Sequence, residues 1–396
     1  MKLTQKHTIL SSYVGYLTQA ITINFAPLLF VTFQNTYDLS LSRISLLIAI
    51  SFLTQLSADA LAARFPRLFS PRISVVAAHL CAVVGLTGFA WLPDVLPSPY
   101  VGLVISVMIA AVGGGIIEVL ISPIVEACPT EEKSSAMSLL HSFYSWGLAA
   151  VVLLSTLFFT LVGLEHWRIL ACLWAIVPAV GAVAFCFVPL FPLEQELTLA
   201  TDTPPPSLLR SRLFWVFFLM MFCAGAAEQS MSQWASSFAE SGLGVSKTLG
   251  DLLGPCAFAI LMGLARVVYG TSGGRIPLIR FIGCSSVLCI VSYLLAALSA
   301  QPILSLIGCA LCGLSAGILW PGTYSLATAR IPRGGVRMFA LLAMAGDVGC
   351  LAGPTAAGWI ADACGGNLRI SFLICLIFPL LILFMVLWTF RKKSSV

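Results

Sequence analysis

Long apolar runs separated by short polar breaks dominate the chain. A hydrocarbon core about 30 Å thick needs roughly 20 apolar residues per helix. Cutting the sequence at charged or Pro/Gly-rich breaks predicts spans near residues 8–32, 43–63, 73–92, 100–125, 136–161 and 168–190, then 212–238, 252–272, 278–299, 302–328, 336–360 and 368–390. Between the sixth and seventh runs the one long polar stretch, from Leu193-Glu194-Gln195-Glu196 through Pro204-Pro205-Pro206 to Arg210, with the composition of a linker. The expected fold is an all-α membrane protein with twelve transmembrane helices in two six-helix pseudo-symmetric halves. An N-terminal bundle occupies 1–192, a cytoplasmic linker 193–211 and a C-terminal bundle 212–396.

Composition sets the solvent. With 59% hydrophobic and 9% charged residues and a mean hydropathy of +1.00, the chain lies far from soluble globular domains. Lysine and arginine gather in alternate loops: 16 of the 21 lie on the side of the termini and linker, Arg43, Arg168, Lys247 and Arg369 on the other, and Arg266 inside a span. Cytoplasmic loops carry such an excess, so both termini are expected in the cytoplasm and the chain in the cell inner (cytoplasmic) membrane. The net charge of +5 is mostly this asymmetry and gives no reason to expect nucleic acid as a partner. Most cysteines sit in apolar runs as small hydrophobes. Cys309 and Cys312 have CxxC spacing without a second pair or a histidine nearby, so no metal and no cofactor are expected. Lys2, Lys6 and His7 precede an apolar run that passes Phe30 without a small-residue cleavage site, which reads as an uncleaved first span.

The halves repeat. Ala63-Arg64-Phe65-Pro66 follows span 2 and Gly274-Arg275-Ile276-Pro277 follows span 8, while Ser122-Pro123 and Cys128-Pro129 after span 4 match Trp320-Pro321 and Ile331-Pro332 after span 10. Internal repeats mark alternating-access transporters.

Against this apolar background a few polar residues stand out. Glu118 lies in Val112-Gly113-Gly114-Gly115-Ile116-Ile117-Glu118-Val119-Leu120-Ile121, where an ionised carboxylate costs roughly 2.5–3.5 kcal/mol or more. An intramembrane acid reads first as a proton or substrate site, and the competing reading is a structural acid bonded to backbone or to His141. Counted from the span ends at 1.5 Å per residue, Glu228 and Asp347 fall near mid-membrane and Glu118 nearer the cytoplasm. His141 lies about as far after the turn between spans 4 and 5 as Glu118 lies before it. A carboxylate facing an imidazole sets desolvation against charge pairing, the competition that makes a protonation switch. Asp347 can equally neutralise the buried Arg266. Glu118, Glu228, His141 and Asp347 are thus the proton-coupling candidates.

Recognition of a hydroxyl-rich solute needs amides and carboxylates for hydrogen bonds and aromatic faces for the ring. Span 1 offers Tyr16, Gln19 and Asn24, and span 7 offers Gln229, Gln233 and Trp234 beside Glu228, with Tyr144 and Trp320 as further candidates. These polar faces are short, and Arg266 is the one cation well inside a predicted span rather than near its end, which suits a small neutral solute.

Twelve spans split six and six, a cytoplasmic central loop and basic loops after spans 2 and 8 together resemble the major facilitator superfamily over essentially the whole chain. Its loop motif of Gly, Asp, Gly and paired basic residues finds Asp59, Arg64 and Arg67 in comparable places, without the glycines. The resemblance implies a charge relay gating the cytoplasmic side, through Asp59 and Arg64 and, in the second half, Arg275. Within the superfamily, the segment Gly114 to Pro123 is similar to the fourth-helix pattern of the fucose-galactose-hexose proton symporters, in which an acid precedes a small-residue and Pro segment. Gly225-Ala226-Ala227-Glu228 followed by Trp234 resembles their seventh-helix pattern, and His141-Ser142-Phe143-Tyr144 with Gly147 their fifth. The first helix has Gln19 and Asn24 where fucose symporters carry a carboxylate.

The expected function is proton-coupled, alternating-access transport of a small, neutral, sugar-like solute by a monomer whose partners are solute, proton and lipid bilayer. The alternative within transport is a proton-coupled exporter of drugs or other amphiphiles. Gly349, Gly353-Pro354 and Gly358 resemble an antiporter motif, but in span 11 rather than span 5, and helix packing explains them. A receptor or intramembrane enzyme lacks support: no nucleophile/base pair, HExxH or Gly-x-Ser-x-Gly is present, and no phosphate-binding loop for ATP-driven transport.

Overall fold

The computed structural model describes residues 3–64, 70–129, 133–191, 208–271, 277–331 and 335–391. Among them, 12 helices are long and apolar enough to cross a membrane. Spans 1 to 6 are Gln5–Tyr37, Leu41–Ala58, Pro71–Val95, Pro99–Ser122, Ser142–Val162 and Leu164–Phe187. Spans 7 to 12 are Arg212–Gly242, Lys247–Tyr269, Leu278–Leu298, Pro302–Ala327, Leu341–Ala363 and Leu368–Thr389. Helices are the natural solution for such runs, because in lipid each backbone N–H and C=O must be satisfied within the segment.

The chain forms two compact units, Met1–Leu39 with Ile50–Thr198, and Ser40–Ala49 with Leu199–Val396. In the first, Tyr16, Ile117, Ile121, Leu140 and Phe185 share a core. In the second, Phe214, Phe217, Met221, Leu319 and Leu342 do so.

Spans 1, 7 and 12 differ sharply in burial and hydropathy. Spans 1 and 7 have modest hydropathy, 1.5 and 1.4, yet 72% and 67% of their most apolar windows are buried. Span 12 is the most apolar at 3.1 and only 39% buried. The two buried spans carry Gln19, Asn24, Glu228, Gln229 and Gln233, and the most apolar span is the most exposed, in keeping with the cost of polar groups in hydrocarbon.

Paired spans are tied at their ends. Arg72, at the start of span 3, donates to the carbonyls of Phe185, Cys186 and Val188 at 2.7, 2.9 and 2.9 Å, where span 6 ends. Arg168, at the start of span 6, donates to Asp94 at 2.8 Å, where span 3 ends. Arg369 of span 12 donates likewise to the carbonyls of Ala297 and Ser299 at the end of span 9. The last carbonyls of a helix have no intrahelical donor, and guanidinium groups satisfy them here.

Span 7 is seated by the small residues of span 11. A Cβ on Gly349 would lie 2.0 Å from the Phe222 carbonyl oxygen, and one on Gly353 2.6 Å from that of Ala226. In lipid, helices associate by close packing rather than by the hydrophobic effect. The glycine-proline series of span 11 thus acts as a packing surface for span 7.

Two span ends differ from the hydropathy pattern. Span 7 runs on through a π-helical turn at Phe238–Gly242. Span 8 starts earlier, with helix Lys247–Asp251, a π-helical turn Leu252–Cys256 and helix Ala257–Thr271. Lys247 and Asp251 neutralise one another across a 3.2 Å ion pair, so their charges do not end the helix.

Candidate functional site

In the first unit three helices converge on one carboxylate. Gln19 of span 1 and Gln55 of span 2 both donate from Nε2 to Oε2 of Glu118 on span 4, at 2.7 and 2.6 Å. Gln19 and Gln55 are buried, at 4% and 7% exposure. Gly114, one turn before Glu118, makes room for this approach: a Cβ there would meet Thr22 Oγ1 at 2.9 Å and Gln55 Oε1 at 4.0 Å. Both donors meet one oxygen, and among the described residues Oε1 of Glu118 has no hydrogen-bond partner. Span 1 carries two further contacts, Tyr16 OH with Ser122 Oγ at 2.9 Å and Asn24 Nδ2 donating to Tyr144 OH at 3.4 Å. Pro27 lacks an N–H, and just after Asn24 the helix gives way to a 3-10 turn over Ala26–Leu29.

In the second unit, Gln233 donates to Gln229 Oε1 at 3.1 Å, and Gln229 donates to Glu228 Oε1 at 3.4 Å. Arg266 of span 8 lies within electrostatic reach of Glu228 and donates to the Gly317 carbonyl at 3.4 Å. Trp234 is fully enclosed, its indole N–H donating to the Pro354 carbonyl at 2.9 Å. Its ring therefore meets span 11 and presents no free face. Trp320 packs its six-membered ring against Gly346, beside Asp347, and stands edge-on to Tyr324 at 6.5 Å. Asp347 is half-buried on span 11.

Several expected residues are thus gathered and others are not. Gln19 joins Glu118, Tyr144 joins Asn24, and Glu228, Gln229 and Gln233 form a chain. The side chains of His141, Asp59 and Arg64, and the whole of Arg275, lie outside the described residues. The sequence reading missed Gln55, although an amide at the centre of an apolar run was itself a signal. It also missed a buried polar group at the far end of span 7. There Ser236 Oγ donates to Asp251 Oδ1 at 2.5 Å, and Lys247 Nζ lies 3.2 Å from Asp251 Oδ2 and 3.8 Å from Glu240 Oε2. Here the i, i+4 spacing of Lys247 and Asp251 was the available signal.

Solved structures share this architecture. The D-xylose–proton symporter superposes with a TM-score of 0.74 at 15% identity, covering 96% of each chain. For the nucleoside transporter NupG the values are 0.75 and 13%, with 98% of this chain and 99% of that one covered. The E. coli fucose–proton symporter FucP gives 0.64 at 15%, covering 96% of this chain and 98% of its own. At such identities the likeness is one of fold. No curated protein matches the sequence. The sequence model of the Major Facilitator Superfamily matches residues 10–336 and 243–396, and the chain belongs to that superfamily of membrane transporters.

Proposed function

We propose that the protein is a symporter that uses protons to move a small neutral, sugar-like solute across the cytoplasmic membrane by alternating access. Glu118 is the principal proton site and Glu228 the second. The setting of Glu118 carries this reading. A carboxylate in a span of hydropathy 2.4 is held by two neutral amides and, among the described residues, by no cationic hydrogen-bond donor. Neutral donors make the ion tolerable, yet a single proton discharges it. Binding of proton and solute together then removes a buried charge before reorientation, which is the physical basis of symport.

The neutrality of the solute is supported by where the cations sit. Arg266, well inside span 8, is near Glu228, and Lys247 at the start of that span is near Asp251 and Glu240, so neither is set aside for an anionic solute. Tyr16, Asn24, Tyr144, Gln229 and Gln233 supply hydroxyls and amides of the kind that bind sugar or nucleoside hydroxyls. We assign Trp234 to packing, Trp320 of span 10 and Asp347 of span 11 to the solute site, and His141 to the proton path beside Glu118. Asp59, Arg64 and Arg275 gate the cytoplasmic side by family likeness. The lysine and arginine asymmetry supports cytoplasmic termini. The test is uptake of radiolabelled D-xylose, fucose and uridine into proteoliposomes with and without an acid-outside pH gradient. Accumulation of one of them driven by the gradient supports the reading, and uptake indifferent to the gradient for all three contradicts it.

A further inference from the structure

Spans 9 and 10 touch backbone to backbone. A Cβ on Gly308 of span 10 would lie 2.6 Å from the Ala296 nitrogen and 2.7 Å from the Ser292 carbonyl oxygen of span 9. About one helical turn away on each strand of this antiparallel pair stand Cys289 and Cys312. Their sulfurs lie 4.0 Å apart, in hydrogen-bond contact, and both side chains are fully enclosed. Cys309, one turn before Cys312, and Cys375 of span 12 complete a sulfur-rich layer within electrostatic reach of the Tyr293 hydroxyl. The spacing of Cys309 and Cys312 is visible in the sequence, whereas the partner across the helix pair comes from the fold.

Among the described residues no group of three or more His, Cys, Asp or Glu is placed to hold a metal ion, so the chemistry open to the pair is between the sulfurs themselves. A disulfide needs Cα atoms about 4.4–6.8 Å apart and sulfurs about 2.05 Å apart. The backbone contact one turn away favours the first condition, and rotation about the Cα–Cβ bonds with a small helix shift meets the second. The layer also adjoins the second proposed proton site. Cys312 lies within electrostatic reach of Glu228. Tyr293 OH donates to the carbonyl of Ala227, the residue before Glu228, at 2.6 Å, and further along span 10 Gly317 accepts from Arg266 at 3.4 Å.

We propose that Cys289 and Cys312 are a redox-sensitive dithiol, which hydrogen peroxide oxidises to a disulfide that pins span 9 to span 10 and slows transport. The effect on transport rests on the reading above that Glu228 works in the cycle. One sulfur attacks a peroxide oxygen: an S–O bond forms, the O–O bond breaks, and the thiol proton leaves with the departing hydroxide as water. The second sulfur then attacks the first: the S–S bond forms, the S–O bond breaks, and its proton and the hydroxyl leave as a second water. Two thiols and one peroxide thus become one disulfide and two waters, the sulfurs losing the two electrons that the peroxide gains. Thiols in apolar surroundings react slowly, so the first step is the slow one, while the second joins sulfurs already in contact. The pair therefore answers sustained peroxide rather than a brief pulse. Charged glutathione is kept out by the hydrocarbon, and a small neutral dithiol reverses the bond by exchange. Drawing the sulfurs to bonding distance displaces Tyr293 and Gly317, and with them the surroundings of Glu228.

The full chain in proteoliposomes, treated with hydrogen peroxide, is denatured, alkylated at its remaining thiols and digested without reduction, and its peptides are read by mass spectrometry. A peptide pair joined through Cys289 and Cys312 is expected. In the same vesicles, exchange of whichever of D-xylose, fucose or uridine the chain carries should be largely lost, while Cys289→Ala keeps its exchange through the same treatment. If Cys289→Ala does not fold, Cys312→Ala serves, and the peptide readout on the native chain needs no variant. Cys364, exposed just past the end of span 11, is the control for oxidant dose. Cys289 and Cys312 both alkylated at a dose that oxidises Cys364, or Cys312 joined to Cys309 instead, overturns the dithiol. A joined pair with native exchange overturns its effect on transport. A reduced chain that moves none of the three solutes overturns the transport reading and that effect with it, while the peptide result stands by itself.

Discussion

Replacing Gln55 with leucine should destabilise the protein through Glu118 and not through packing. Ionised Glu118 costs roughly 2.5–3.5 kcal/mol in hydrocarbon, and hydrogen bonds to a charged group return about 1.5–3 kcal/mol each. Its two amide donors, at 2.7 and 2.6 Å, together offset the cost, whereas one alone does not. Gln55→Leu should therefore lower unfolding free energy by about 1.5–3 kcal/mol. In a Glu118→Gln background the same change removes only a neutral bond, worth about 0.5–1.5 kcal/mol. Denaturant unfolding of the purified chain in detergent, followed by tryptophan fluorescence at alkaline pH, measures all four corners of the cycle. A coupling of about 1 kcal/mol or more is expected. Additive effects, agreeing within about 0.5 kcal/mol, would refute the idea that Gln55 acts on the carboxylate.

Other consequences follow from the packing around span 7. Gly349→Val places side-chain atoms where a Cβ already lies 2.0 Å from the Phe222 carbonyl oxygen, so overpacking should cost about 1–3 kcal/mol or more, read as a lower melting temperature in detergent. Trp234→Phe keeps an aromatic ring but leaves the Pro354 carbonyl without its donor. It should lower stability by about 1–3 kcal/mol while leaving the affinity for a transported sugar nearly native. A selective loss of affinity in a stable variant would return Trp234 to the solute. Arg72→Ala strips three carbonyls at the end of span 6 of their donor, and hydrogen exchange should rise at residues 185–188 ahead of the rest of the helix.

Much of the fold is legible because lipid imposes one rule on the backbone, and apolar runs of helical length follow from it. Hydropathy places span 12 as readily as span 4. It fails at the junction of spans 7 and 8, where Lys247 and Asp251 look like a loop yet cancel within the helical segment. The site is legible in its acids and much less in their partners. Glu118 announces itself by its cost, but Gln55 is uncharged and lies 63 residues away in sequence, so only folding makes it a neighbour. Hairpin geometry offered His141 to Glu118, while the donors on Oε2 come from spans 1 and 2. Trp234 carried an aromatic signal that suits a sugar face and a packed core equally, and its hydrogen bond to Pro354 belongs to packing.

The central claim is that Glu118 couples the solute to protons. With a one-proton symporter, an imposed acid-outside difference of about 1 pH unit supports roughly tenfold accumulation, since one unit is worth about 1.36 kcal/mol. Proteoliposomes holding the native chain should reach that ratio for whichever of D-xylose, fucose or uridine it carries. Those holding Glu118→Gln should exchange labelled for unlabelled solute at a comparable rate yet level off near equal concentrations inside and outside. Native accumulation by the Glu118→Gln protein under the same gradient would contradict the account.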